Sequence, residues 1–214
     1  MLKLTHKDIV SSLAIGELVS WFALFVLKNP AIAEFSKVAG LTWLNWVLPI
    51  GLPLLFLVGM FVVAWLNRFV GFLFQLAKYA QIGVLNTLVD FGILNLLIWT
   101  TNTTSGWKLG VFNIISFSVA VVNSYFWNKF WTFESKAGAQ GKEFVSFVTV
   151  SFIGVLINTA IVYLGAGLAN SIPDVSAGGW INLVKILATV VSLVWNFLGY
   201  KFFVFKKPNL PMKV

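Results

Sequence analysis

Six stretches of this sequence stay apolar for about 18 residues or more, roughly the length at which an α-helix crosses the hydrocarbon core of a bilayer. They are Ile9–Leu27, Val47–Leu66, Tyr79–Trp99, Leu109–Trp127, Phe144–Leu164 and Trp180–Tyr200. In lipid, each such segment must satisfy its own backbone hydrogen bonds, which leaves the helix as the structure open to it. The expected fold is therefore an all-α membrane protein with six transmembrane helices. Composition points the same way: 59% of residues are hydrophobic, 10% are charged and mean hydropathy is +0.90. The first run admits a second reading as a signal peptide, because Lys3 and Lys7 precede it and Ala31-Ile32-Ala33 resembles a cleavage site. Its length, the Glu17 inside it and the Lys28 and Pro30 behind it favour a retained helix. Pro49 and Pro53 are expected in the first turns of the second helix, where a missing amide donor costs least.

The positive residues orient the chain. One side of the expected membrane carries Lys3, Lys7, Arg68, Lys78, Lys129, Lys136, Lys142, Lys201, Lys206, Lys207 and Lys213; the other carries Lys28, Lys37 and Lys108. Eleven against three places both termini in the cytoplasm of a multi-pass protein of the cytoplasmic membrane. The net charge of +8 then reads as attraction to anionic lipid headgroups rather than to nucleic acid, which is not an expected partner.

An internal repeat divides the second part of the chain. A shift of 72 residues lays Lys129 on Lys201, Phe133 on Phe205, and Asn86-Thr87 on Asn158-Thr159. Each copy is an ingoing and an outgoing helix that closes on a lysine set among aromatics, so the two copies run parallel. The Asn67-Arg68-Phe69 exit of the N-terminal pair is either a degenerate third copy or a coincidence in a Phe-rich chain. The organisation expected is a two-helix extension over 1–70, a four-helix unit over 71–207 and a cytoplasmic tail over 208–214.

Charges within apolar helices are costly, about 3 kcal/mol or more at mid-bilayer, so they mark either function or assembly. Glu17, Asp90 and Lys185 are the three. Asp90 lies near the middle of its run, and Asn86 sits one turn earlier on the same face. Asn86, Asp90, Asn158, Lys185 and Asn123 thus compose a possible polar path, with interhelical hydrogen bonding as the plainer role of the asparagines. Lys185 either snorkels to the outer surface or turns inward to Asp90 or a phosphate. For Glu17 a structural or assembly role is expected. Lys129 and Lys201 either snorkel from their helix ends or together form a cationic, aromatic-walled mouth for a phosphate on an isoprenoid chain. Asn128, Trp131 and Thr132 surround the first lysine and Tyr200 precedes the second.

Catalysis finds little support. The seven acids include no close pair of the kind that holds a nucleotide-sugar metal ion. There are no cysteines, and the single histidine, His6, lies ahead of the first run. No catalytic residue, metal site or cofactor is expected.

Residues from about 72 to 207 resemble the GtrA-like family of small four-helix membrane proteins. The phrases that carry the resemblance are the run from Lys78 to Gly92, KYAQIGVLNTLVDFG, and that from Asn123 to Phe133, NSYFWNKFWTF, with Trp195-Asn196 to Phe205 as a third. The resemblance implies translocation of a polyprenyl-phosphate-linked sugar across the membrane in support of cell-surface polysaccharide glycosylation. It also implies an alternative, since similar four-helix units anchor polyprenyl-phosphate mannose synthases. In that case the chain is a non-transporting adaptor that binds polyprenyl phosphate and recruits a glycosyltransferase. The partners implied are the lipid, the membrane, a glycosyltransferase and, in an assembled state, further copies of the chain. A proton-coupled exporter of small cations that uses Glu17 or Asp90 is a third class.

Overall fold

The computed structural model describes residues 4–29, 38, 40–103, 107–135, 141–166 and 177–206; the side chains of residues 166, 177–183, 185 and 186 lie outside that description. The proposed cleavage sequence at Ala31-Ile32-Ala33 falls outside it too. Six helices follow one another: α1 His6–Leu27, α2 Leu44–Leu66, α3 Leu73–Thr101, α4 Trp107–Trp127, α5 Gly141–Ala166 and α6 Ala177–Gly199. Two of them run on into five-residue π-helical turns, Asn128–Thr132 after α4 and Tyr200–Val204 after α6. Each run expected to span contributes a helix long and apolar enough to cross a membrane, and no strand occurs among the described residues.

The chain divides into two compact units, Met1–Glu134 and Ser135–Val214. In the first, α1 packs on α2 and α3, and α3 on α4. Its core joins Ile15 and Val19 of α1, Met60 and Ala64 of α2, and Ile82, Leu85 and Val89 of α3 to Ala120 and Trp131. The N-terminal helix pair is thus part of one packed body with α3, α4 and the π turn that follows α4.

Local chemistry explains how these helices begin and meet. Thr5 and Asp8 close a capping box at the start of α1: the Thr5 hydroxyl accepts from the Asp8 amide, and the Asp8 carboxylate accepts from the Thr5 amide at 3.0 Å. Gly16 lies against the backbone of Pro53, where a Cβ would have no room, and this brings α1 and α2 into close contact. Both prolines lie deeper than their expected place, sixth and tenth in a helix that starts at Leu44 instead of Val47. The Thr42 and Trp43 carbonyls accept from the amides of Asn45, Trp46 and Val47, and these early hydrogen bonds draw the helix start forward. Gln81 ties three helices, accepting from the Ser12 hydroxyl at 3.0 Å and donating to the Phe56 carbonyl at 3.0 Å. Asn102, at φ 51°, ends α3 in the left-handed conformation that asparagine tolerates.

In the second unit α5 pairs with α6 through small residues: Gly154 lies against Asn196 and Gly199 against Val150, again with no space for a Cβ. Tyr200 stacks on Phe147 with ring centroids 4.3 Å apart, and its hydroxyl shares a 2.6 Å hydrogen bond with Ser151.

The outward faces are apolar. Leu54, Leu55, Val58, Phe61, Val62 and Trp65 of α2 are all exposed, a stripe far too long for a surface in water and suited to lipid tails.

Candidate functional site

The lower end of α4, where it opens into its π turn, is the most polar buried place in the first unit. A helix C-terminus leaves its last carbonyls without partners inside the helix. Three of these are met here by side chains from outside. Lys7 donates to the Phe130 carbonyl, Lys78 to that of Trp131 at 3.5 Å, and Gln75 to that of Thr132 at 3.1 Å. Cations at this end also oppose the negative pole of the helix dipole, which lowers the cost of burying them. The chain then leaves through Glu134, held at φ 50°.

Lys129 sits within this turn and is 1% exposed. It does not reach outward as a snorkelling lysine would. Its ammonium donates to the Tyr125 hydroxyl at 3.3 Å and lies 5.5 and 6.0 Å from the centroids of the Tyr125 and Phe130 rings. Asn128 beside it is fully buried; its amide nitrogen donates to the Ser124 carbonyl at 2.9 Å, while its Oδ1 has no hydrogen-bond partner. Thr132, also buried, leaves its Oγ1 equally without one. Buried polar atoms are rarely left so, and two of them lie in the same five-residue turn as this lysine.

Trp131 and Lys78 extend the cluster toward α1. The Lys78 ammonium, 4% exposed, pairs with Asp8 Oδ1 at 2.5 Å and approaches Glu134 at 3.5 Å. The Trp131 indole N–H donates to the same Asp8 oxygen at 3.1 Å. Sequence reasoning counted Lys78 among the cytoplasmic charges and in the phrase that carries the family resemblance, kept the Arg68–Lys78 segment only as a fallback place for a phosphate, and passed over Asp8. The signal was present: Thr5-His6-Lys7-Asp8 directly before an apolar run is a capping-box pattern, and it puts a carboxylate at a helix start among lysines.

Above this end, α3 and α4 carry a polar seam. Asp90 is half-buried and accepts from the Ser116 hydroxyl of α4 at 2.6 Å; the expected partner, Lys185, has its side chain outside the described residues. That contact, with Lys78 and Gln75 at the other end, sets the antiparallel register and brings Asn86 level with the turn that holds Asn123. Asn86 Oδ1 and Asn123 Nδ2 are both buried and lack partners.

The remaining residues belong to the second unit. Asn158 donates to the Ser192 hydroxyl at 3.4 Å, the interhelical role expected as its plainer one. Lys201 is half-buried, 5.8 and 5.6 Å from the Phe197 and Phe202 centroids, and Tyr200 is engaged by Ser151 and Phe147. The structure thus gathers Asn128, Lys129, Trp131 and Thr132 at one helix end, and holds Tyr200 and Lys201 in the corresponding turn of the other unit. Both turns are five residues long, carry lysine second, and close with a Phe amide donating to the first carbonyl, Phe133 to Asn128 and Phe205 to Tyr200. Glu17 accepts from the Trp21 indole at 2.8 Å and borders a shallow groove with Leu13, Pro49 and Leu54.

Known proteins place this arrangement in a family. The family described as GtrA/DPMS, transmembrane domain, matches residues 78–205. The membrane protein YngA of Bacillus subtilis (strain 168) is 32% identical over 130 residues, 61% of this chain and 78% of YngA. The bactoprenol-linked glucose translocase of Shigella phage SfII is 30% identical over 129 residues, 60% of this chain and 92% of that protein. That of Shigella phage SfX is 34% identical over 132 residues, 61% of this chain and 93% of its own. No solved structure matches the chain significantly. With six helices able to span a membrane and a match that covers more than half its length, the chain is a multi-pass membrane protein and belongs to the GtrA/DPMS transmembrane-domain family.

Proposed function

We propose that this chain translocates a polyprenyl-phosphate-linked sugar across the cytoplasmic membrane and so supplies a donor for cell-surface polysaccharide glycosylation. The observation that carries this reading is the fully buried lysine in the π turn after α4, a turn that also holds two unpartnered side-chain oxygens and lies at the foot of a polar seam. An ammonium at this helix end can give a phosphate oxygen a charge-assisted hydrogen bond, which is shorter and stronger than a neutral one. The Asn128 Oδ1 and Thr132 Oγ1 atoms offer an acceptor and a donor for the sugar hydroxyls and the phosphate oxygens beside that charge.

The seam gives the headgroup somewhere to go. Asn123 and Asn86, then Ser116 and Asp90, offer successive polar groups between the lysine end and mid-helix, and Asn158 and Lys185 are assigned to the same task in the second unit. Lys201 and Tyr200 are assigned to phosphate recognition in the second π turn. The eleven-to-three lysine and arginine distribution supports cytoplasmic termini, so the lysine turns face the side on which activated sugars are made. Sugar transfer itself is left to a partner glycosyltransferase, and the chain acts without catalysis. The translocases of phages SfII and SfX, similar to this chain over nearly their whole length, support the substrate class.

The deciding experiment places purified protein in liposomes with a labelled polyprenyl-phosphate sugar and follows its movement between leaflets. Exchange well above protein-free vesicles, lost in Lys129→Gln, is the expected result. Retained lipid binding with no exchange would assign the chain to the adaptor class instead.

A further inference from the structure

We propose that Lys78 and Trp131 form a second phosphate-oxyanion site that Asp8 of α1 keeps filled, so that the N-terminal helix competes with the phosphate-bearing ligand. The assignment rests on the translocation reading and deepens it, because it names a regulator of the same helix end. Two donors from different helices converge on one atom: Lys78 Nζ at 2.5 Å and Trp131 Nε1 at 3.1 Å both meet Asp8 Oδ1. A carboxylate oxygen and a phosphate oxygen accept the same charge-assisted bonds, so a pair of donors set for one is set for the other. Thr132, which follows Trp131 in the same turn, is buried with its Oγ1 unpartnered.

The two sides of this contact differ in origin. Lys78 and Trp131 lie within the family match over 78–205, whereas Asp8 lies 70 residues ahead of it. The phage translocases are covered over 92% and 93% of their own length by the matched part, which leaves no room in them for a helix pair like α1 and α2. In this chain the extension brings its own anion to donors that belong to the family domain.

Asp8 is held in a way that permits release. Apart from Lys78 and Trp131, its carboxylate is bound among the described residues only by the amide and hydroxyl of Thr5, at 3.0 and 2.7 Å in its own capping box. Opening the first turn of α1 therefore frees it while the Ser12–Gln81 and Ser20–Leu48 contacts keep the rest of the helix in place. Glu134, 3.5 Å from Lys78 and exposed, stays to accompany the lysine during the exchange. Lys7 contributes by holding the Phe130 carbonyl, which keeps the turn positioned.

The test uses the full chain in phosphatidylcholine nanodiscs, with a long-chain polyprenyl phosphate as the probe and inorganic phosphate as competitor. Asp8→Asn should raise affinity for the probe about tenfold or more, the counterpart of one charge-assisted hydrogen bond freed for the ligand. Asp8→Glu should stay near the parent value, and Asp8→Asn with Lys78→Gln should lose the gain. Displacement by inorganic phosphate would assign the site to phosphate itself; displacement by unlabelled polyprenyl phosphate alone would assign it to the lipid. Either upholds the site. Unchanged affinity in a folded Asp8→Asn protein overturns it and makes the ion pair a clamp. Should that variant fail to fold, Thr5→Val loosens Asp8 more gently, and a severalfold gain is expected there; no gain overturns the proposal as well. Leaflet exchange measured in parallel separates the two readings. Normal exchange without an affinity gain removes the competitor and leaves translocation standing, while an affinity gain without exchange in any variant does the reverse.

Discussion

Replacing Lys129 with methionine separates a structural lysine from a ligand-binding one, because loss of the first role shows in stability and loss of the second in binding. Methionine nearly matches lysine in length and volume, so the packing around a 1% exposed side chain is largely preserved. The change removes, along with the other contacts of the ammonium, the hydrogen bond to the Tyr125 hydroxyl at 3.3 Å and the approaches to the Tyr125 and Phe130 rings. A hydrogen bond to a charged group contributes about 1.5–3 kcal/mol, and each cation–π contact about 0.5–2 kcal/mol. Against these stands the desolvation of a buried ammonium, several kcal/mol even after relaxation. The terms nearly cancel, so unfolding in mixed detergent should shift by no more than about 1 kcal/mol in either direction. Binding should behave differently. A phosphate held by this ammonium loses about 1.5–3 kcal/mol, which is about ten- to a hundredfold in Kd. Titration of a polyprenyl phosphate into nanodisc-embedded protein, beside an unfolding series on the same samples, gives both numbers. A protein destabilised by several kcal/mol with unchanged Kd would refute the reasoning and make Lys129 a packing residue.

Other changes test the neighbouring parts. Ser116→Ala removes the donor to Asp90, and should slow leaflet exchange of the sugar lipid while leaving its binding within about twofold of the parent; equal exchange rates would take Asp90 out of the path. Lys78→Gln strands Asp8 in a site where both side chains are buried, and should lower stability in detergent unfolding by about 3–5 kcal/mol. Gly154→Val sets a branched side chain against Asn196 and should cost about 1–3 kcal/mol by the same assay. In this cysteine-free chain, Gly138→Cys and Leu210→Cys should react with an impermeant thiol reagent only after the membrane is opened, whereas Thr103→Cys should react from outside.

The helices were legible because lipid imposes one strong rule, that apolar length decides what spans, and all six expected runs lie within helices of the structure. Their ends were less so. The second helix starts at Leu44, and its prolines consequently fall inside it, because hydrogen bonds at Thr42–Trp43 extend the helix beyond the apolar run. The candidate site divides along the same line. Lys129 could be named from a repeated phrase, but its burial could not, since a helix-end lysine in sequence looks the same whether it points to water or into a π turn. The π turns leave no trace in hydropathy. The Asp8–Lys78 pair joins residues 70 apart, and charge counting by side treats such residues as independent. Pairing across helices depends on rotation about each helix axis, which a run of apolar residues does not specify.

The position of both buried lysines at the same helix end has a consequence for how a phosphate could be held there. Many anion sites use a helix N-terminus, where backbone N–H groups and the positive pole of the dipole do the binding. Here the polarity is reversed: the carbonyls of Phe130, Trp131 and Thr132 point toward the site. An anion at this end meets an unfavourable dipole, typically about 0.3–1 kcal/mol, and finds no backbone donors among those carbonyls. Recognition must then come from side chains, the Lys129 ammonium at the first site and the Lys78 ammonium with the Trp131 indole at the second. Such a site holds a phosphate only while its lysines are in place, and the same dipole that lowers the cost of their burial favours the empty, cationic state. That combination suits a carrier that must release its ligand on the far side better than one that only stores it, because a bound headgroup is held by a few movable side chains and by no fixed backbone.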